Sequence, residues 1–190
     1  MLTNDKKITT PDYWNEVYSG KRNDTKTDAS NFQRPKDAFD RFKWVADLVE
    51  GPNVLGIASG HARIERLVKL YHPNWSVTAS DQCLAAMQAT DFRPYKIIDA
   101  YSIPPPFTKY DTLICTQALE YMDDIPKFLK GAQKVAWKLI VTAPKGEMKL
   151  WSQLYVFTPK GLKSLLMPFG EIEHEDIKED IMLFKLKFND

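Results

Sequence analysis

The sequence has only two cysteines, Cys83 and Cys115, in 190 residues. Neither sits in a CxxC or Cys/His spacing, so there is no sequence basis for a zinc site or a disulfide framework. No apolar run approaches the length of a membrane span. The opening segment MLTNDKKITT has no apolar core of the kind a secretory signal needs. Neither sign of charge dominates: Lys+Arg 26 against Asp+Glu 25 gives a formal net charge of +1. That balance supplies no overall attraction to nucleic acid or to an anionic membrane. The small cluster Lys21, Arg22 and Lys26 lies in a polar segment and reads as solvated loop. A reducing, cytoplasmic setting is the resulting expectation.

What is present is ordinary for a globular chain: 44% hydrophobic and 27% charged residues. The length suits one domain over 1–190 with a full core. Residues 1–34 read as a polar, irregular extension with an aromatic island at Tyr13, Trp14 and Tyr18. From Pro35 to Glu50, Phe39, Phe42, Ala46 and Val49 recur at helical spacing, and Gly51-Pro52 ends the run. Short apolar segments at 53–57, 75–80, 95–98, 112–116 and 137–143 read as strands. Helical patterns at 61–71, 84–89, 124–135 and 158–167 come between or after them. Thr158 is the natural N-cap of the last helix. EIEHEDI and IMLFKLKF, separated by Lys178-Glu179-Asp180, read as an antiparallel hairpin. The expected fold is α/β: a seven-stranded, mostly parallel sheet with helices on both faces and a C-terminal antiparallel hairpin.

In such sheets ligands collect beyond the carboxyl ends of the strands. Three features stand there. The turn after the first strand, VLGIASGHA over 54–62, is built from small residues that let a ligand approach the backbone. The helix after it presents free N–H groups. Asp81 ends the second strand about 20 residues on, where an acid can hold ribose hydroxyls. Asp99 follows the third strand, where a carboxylate can accept from an exocyclic amine.

These segments resemble the class I S-adenosylmethionine (SAM)-dependent methyltransferases of the small-molecule kind, which have a Rossmann-like fold. VLGIASGHA aligns with that family's VLDIGCGTG. SVTASDQCLAAM is similar to its second strand and ribose-binding acid. DAYSIPPPFTKYDTLICTQALEYMDD is the best match, and KLIVTAPKG and LYVFTPKGLKSLL follow its fifth strand and a late loop and helix. The resemblance implies SAM as cofactor and methyl transfer to a small-molecule acceptor. It implies that Gly56, Ala58, Ser59 and Gly60 line the methionine and ribose part. Asp81 would hold the ribose, Gln82 would lie beside the adenine, and Asp99 and Ala100 would reach its amine and ring. Thr116 and Gln117 would lie under the methionine end, and Tyr13 and Trp14 would cover the site.

The sequence departs from the family at three places. Gly56 stands where the family has an acid that supports the methionine ammonium, and Ala58 and Ala62 replace glycines. An alanine held at positive φ costs about 1 kcal/mol. Methyl transfer from a sulfonium expels a neutral leaving group, so alignment and exclusion of water are the main requirements. A base is needed only when the acceptor must lose a proton. His61, in the turn, reads as a polar residue at a helix start, His72 as structural before Pro73, His174 as solvent-facing and Glu120 as helix-packing, so none is assigned as a base. Trp151, Tyr155 and Phe157 are expected either to wall the acceptor site or to pack a long loop. A dinucleotide dehydrogenase is the first competing reading, and GIASGHAR fails its G-x-G-x-x-G pattern. The second is a non-catalytic protein on the same fold that binds a partner through a diverged cofactor loop.

Overall fold

The computed structural model describes residues 10–19, 21, 35–146 and 154–189, without the side chains of 35–39. Helices α1 (Pro11–Tyr18) and α2 (Pro35–Ala46) come first. They are followed by β1 (Asn53–Ile57), α3 (Arg63–Tyr71), β2 (Ser76–Asp81), α4 (Leu84–Gln88), β3 (Tyr95–Ile97) and β4 (Tyr110–Thr116). Then come α5 (Ile125–Val135), β5 (Ala136–Pro144), α6 (Pro159–Leu166), β6 (Gly170–Lys178) and β7 (Ile181–Phe188), with 3-10 turns at Leu119–Tyr121 and Met167–Phe169. No helix among the described residues is long and apolar enough to cross a membrane.

The strands form one seven-stranded sheet in the order β3-β2-β1-β4-β5-β7-β6. The pairs β1–β2, β1–β4, β2–β3 and β4–β5 are parallel, whereas β7 runs antiparallel to both β5 and β6. The hairpin is therefore inserted with its second strand inward. Alternation along the strands sends side chains to opposite faces. Leu55, Leu113, Cys115, Leu139 and Val141 meet Phe128 and Leu129 of α5 and Leu162 and Leu166 of α6. Val54, Ile114 and Ile140 meet Val45 of α2 and Leu67 and Val68 of α3 on the other face. Each such fully buried side chain contributes about 1.5–3 kcal/mol. Cys115 is a buried core residue, as its apolar surroundings in the sequence suggest.

A charged residue, Lys185, lies buried in β7 at 5% exposure. It pairs with Glu50, in the α2–β1 link, and with Glu173 of β6 at 3.8 Å. Lys138 of β5 joins the same two carboxylates at 2.6 and 3.0 Å. This network explains how a lysine is tolerated between two neighbouring strands. The hydrogen bonds from both lysines hold the Glu50 carboxyl below its ordinary range. Removing one charge from such a group leaves Lys185 short of a counter-charge. We expect Glu50→Gln to lower the unfolding free energy by roughly 1–3 kcal/mol, discounted for the half-exposed glutamate, as read by urea denaturation.

One element differs from the sequence reading. Residues 11–18 are helical and not irregular. Thr10 accepts from the Tyr13 N–H at 3.4 Å as N-cap, and Pro11 occupies the first turn. The helix was hidden because its surface is mostly polar and its docking is tertiary. α3 also starts two residues later than its pattern suggests, at Arg63, because Ala62 sits at φ 53 as its N-cap.

Candidate functional site

Between β1 and β4 the strand order reverses, and the carboxyl end of β1 lies at this switch point. Asp81, at the end of β2, turns its carboxylate toward the β1 turn. Its Oδ2 accepts from the Gly60 N–H at 3.1 Å and its Oδ1 from the Cys83 N–H at 3.0 Å. The small-residue turn and the first acid thus meet on one rim. Ile98 donates its N–H to the Asp81 carbonyl at 3.0 Å, which brings the end of β3 and Asp99 to that rim as well. Burial raises the pKa of Asp81 against these N–H donors. A carboxylate has about four acceptor sites, so hydrogen-bonding capacity remains for further donors such as hydroxyls.

Ser59 organises the turn. Its hydroxyl donates to Glu65 Oε1 at 2.6 Å and accepts from the Ser80 N–H at 3.2 Å. Its own N–H reaches the Ser80 carbonyl at 2.8 Å. Ser80 Oγ donates to the Gly56 carbonyl at 2.6 Å, and the Tyr95 hydroxyl to the Gly60 carbonyl at 2.7 Å. These bonds fasten the turn to β2 and β3. The turn also needs left-handed backbone: Ala58 has φ 55, Gly60 φ 50 and Ala62 φ 53. Alanine carries a steric cost at two of these positions. Ala62 offsets it by burying its methyl group with Ile64 and Val68, whereas Ala58 is only partly buried. Ala58→Gly should therefore raise stability by up to about 1 kcal/mol in thermal unfolding.

Helix α1 lies across this rim. Toward α4, Asn15 Oδ1 accepts from Cys83 Sγ at 3.0 Å and from the Ala85 N–H at 3.1 Å, capping α4 from outside. Toward β4, the adjacent Trp14 meets Tyr121 edge-on at 5.2 Å. Tyr13 is buried beneath Trp14 in a second edge contact at 5.2 Å. A Cβ placed on Gly60 would lie 2.5 Å from the Tyr18 hydroxyl, so Tyr18 covers the glycine that the turn leaves bare. Burial and the Asp81 charge push the Tyr18 phenol far above its ordinary range, so it stays protonated. His61 is exposed and packs edge-on against Tyr18 at 5.5 Å.

The remaining expected residues are distributed as follows. Gln82 and Ala100 are half-buried beside Asp81 and the core respectively. Asp99 is exposed, and its Oδ1 accepts from the Tyr101 N–H at 2.9 Å. Thr116 ends β4 opposite Thr142 of β5. Gln117 follows at φ 53, its N–H bonded to the Thr142 carbonyl at 2.9 Å. Phe157 is core, and Tyr155 stacks on it at 6.1 Å while its hydroxyl donates to the Asp123 carbonyl at 3.2 Å. Trp151 lies outside the described residues, as do Arg22 and Lys26. His72 stacks on Trp75 at 3.7 Å, a surface contact remote from the rim. Glu120 is buried, and its charge helps push the Cys115 thiol far up, after burial itself.

Sequence reasoning missed Asn15, Tyr18, Glu65 and Tyr95. Only Tyr18 carried a signal, as part of the aromatic island. Glu65 is the most consequential of the four. It sits in the first turn of α3 at 3% exposure. Burial raises its pKa from 4.5 to about 7, against the Ser59 hydrogen bond and with the Asp81 charge adding to the rise.

No family model and no curated protein matches the chain. Solved structures do. The plantazolicin methyltransferase BpumL, in complex with a triazolic desmethylPZN analogue and S-adenosylhomocysteine (SAH), superposes with TM-score 0.70 at 10% identity over 100% of both chains. A SAM-dependent methyltransferase from Aquifex aeolicus gives 0.66 at 14% identity over 95% of this chain and 99% of its own. Magnesium protoporphyrin IX methyltransferase from Synechocystis, with bound SAH, gives 0.63 at 14% over 81% and 83%. This is the class I SAM-dependent methyltransferase fold. At these identities the likeness establishes architecture. The strand order, with its inward antiparallel β7, agrees with it.

Proposed function

We propose that the chain is a SAM-dependent methyltransferase acting on a small molecule. One observation carries the reading: Asp81 and the β1 turn are joined through the Gly60 N–H at the switch point of a sheet of this fold. The residues there suit the cofactor. Asp81 keeps acceptor capacity for a ribose diol. Asp99, Ala100 and Gln82 stand next along the rim for an adenine. Gly56, Ala58, Ser59 and Gly60 form the floor, and Thr116 and Gln117 lie across the switch point toward a methionine end. Tyr13 and Trp14, with Tyr18, cover the rim from α1 and would shield a bound donor from water. When bound, SAM supplies an activated methyl group on a sulfonium. The chain's own task is then to orient donor and acceptor. Solved neighbours of this fold include enzymes acting on a porphyrin and on a plantazolicin, both consistent with a small-molecule or peptide acceptor.

A second reading has its own support. Tyr18 rests on Gly60, so α1 occupies part of the rim that a ligand would use. A binding protein that keeps the fold with its cofactor turn covered would look the same. Calorimetric titration with SAH separates the two. The enzyme reading expects saturable micromolar binding, followed by transfer of labelled methyl from SAM into a metabolite extract. Absence of binding at millimolar SAH would favour the binding protein.

A further inference from the structure

The carboxylate missing at residue 56 has a replacement nine positions along the chain. A Cβ built on Gly56 would fall inside the van der Waals shells of Glu65 Oε1 and Ser59 Oγ. Glu65 therefore fills the volume that a side chain at 56 would take. It reaches there from α3 because Ala62, at φ 53, delays the helix start and places Glu65 in the first turn, pointing back at β1. The first turn of a helix also favours negative charge. Ser59 holds the carboxylate in place, and the same hydroxyl ties it to β2 through Ser80.

We propose that Glu65 supplies, from α3, the carboxylate that the binding turn would otherwise receive from residue 56, and sets its charge beneath the ammonium end of the ligand. The ligand half rests on the methyltransferase reading; the exchange of position does not. Glu65 acts as a positioning group, through Ser59 and through its charge. Residue 56 must then be glycine, because two side chains cannot share the volume. The titratable groups whose charge couples to Glu65 are Asp81 and Tyr95. Neither supplies positive charge, so a cationic ligand group is the natural complement to the two buried acids.

The test uses the full chain and four variants: Glu65→Gln, Glu65→Ala, Gly56→Asp, and Gly56→Asp with Glu65→Ala. Thermal unfolding without ligand reads the exchange. Gly56→Asp alone should unfold at much lower temperature than wild type, and adding Glu65→Ala should recover most of that loss. If Glu65→Ala gives no recovery, the exchange is wrong. Calorimetry with SAH and with methylthioadenosine, which lacks the amino-acid end, reads the ligand half. Glu65→Gln should weaken SAH by about ten- to a hundredfold and leave methylthioadenosine unchanged. Equal loss for both compounds, or no loss for either, overturns the placement beneath the ammonium. If wild type binds neither compound, the methyltransferase reading and the ligand half fail together, and the unfolding data still decide the exchange.

Discussion

Asp81→Asn is expected to weaken SAH binding by about ten- to a hundredfold while the protein remains folded. The carboxylate accepts from Gly60 and Cys83 through separate oxygens and has capacity left for hydroxyl donors. An amide keeps one oxygen and turns an NH2 group toward a neighbouring N–H. Hydrogen bonds to a charged group contribute about 1.5–3 kcal/mol, which sets the size of the affinity loss. Stability responds differently. One backbone N–H loses its acceptor, which costs about 1–3 kcal/mol, but a buried charge whose pKa burial has raised is also removed. The two effects oppose, so the midpoint of urea unfolding should move little compared with the affinity. A variant that unfolds without any separate binding defect would make Asp81 a purely structural residue.

The second large effect concerns pH. Glu65 titrates near 7 in the folded chain and has an ordinary value of 4.5. Between those values the folded chain binds more protons at this site than the unfolded chain does. Stability therefore falls as pH rises through that window, and the penalty is complete above about 7. The shift corresponds to about 3 kcal/mol at most. Burial raises Asp81 as well, so its contribution has the same sign. Glu50, held low by its lysines, acts in the opposite sense, but below its ordinary value. Comparing wild type with Glu65→Gln isolates the site. The two should unfold alike at about pH 4, and at pH 8 the glutamine variant should be the more stable by up to about 3 kcal/mol. Parallel profiles across that range would mean that Glu65 stays ionised at no cost. The same substitution is expected to weaken SAH, so a gain in stability here accompanies a loss of function.

The sheet was legible because its strands are short apolar runs, several of them closed by Asp or Pro: Asp81 at the end of β2, Asp99 shortly after β3, Pro144 at the end of β5. The hairpin was legible too, and its composition also marks which strand lies inward. The near-continuous apolar run of β7 is buried along most of its length and the charged alternation of β6 is not; Lys185 is accommodated inside through Glu50, 135 residues away, and Glu173 of the next strand. Helix α1 escaped because most of its surface is polar and its anchors, Asn15 on α4 and Trp14 on Tyr121, are contacts between distant segments. At the turn, the alanines at 58 and 62 could be recognised as standing in for glycines, and both adopt positive φ. Gly56 looked like a simple loss of charge. Its replacement could not be seen because Glu65 reads as one more polar residue of an amphipathic helix. Only the fold brings its carboxylate back over β1. Asp99 is exposed, and its Oδ1 accepts from the Tyr101 N–H two residues on, a local contact that leaves acceptor sites open on the carboxylate.

A crystal structure of the protein grown or soaked with SAH tests the central claim most directly. The account predicts the ribose hydroxyls within hydrogen-bonding distance of the Asp81 carboxylate, with the Tyr18 ring withdrawn from Gly60. Crystals at millimolar SAH in which α1 keeps Tyr18 seated on Gly60 and no ligand lies along the rim would contradict it.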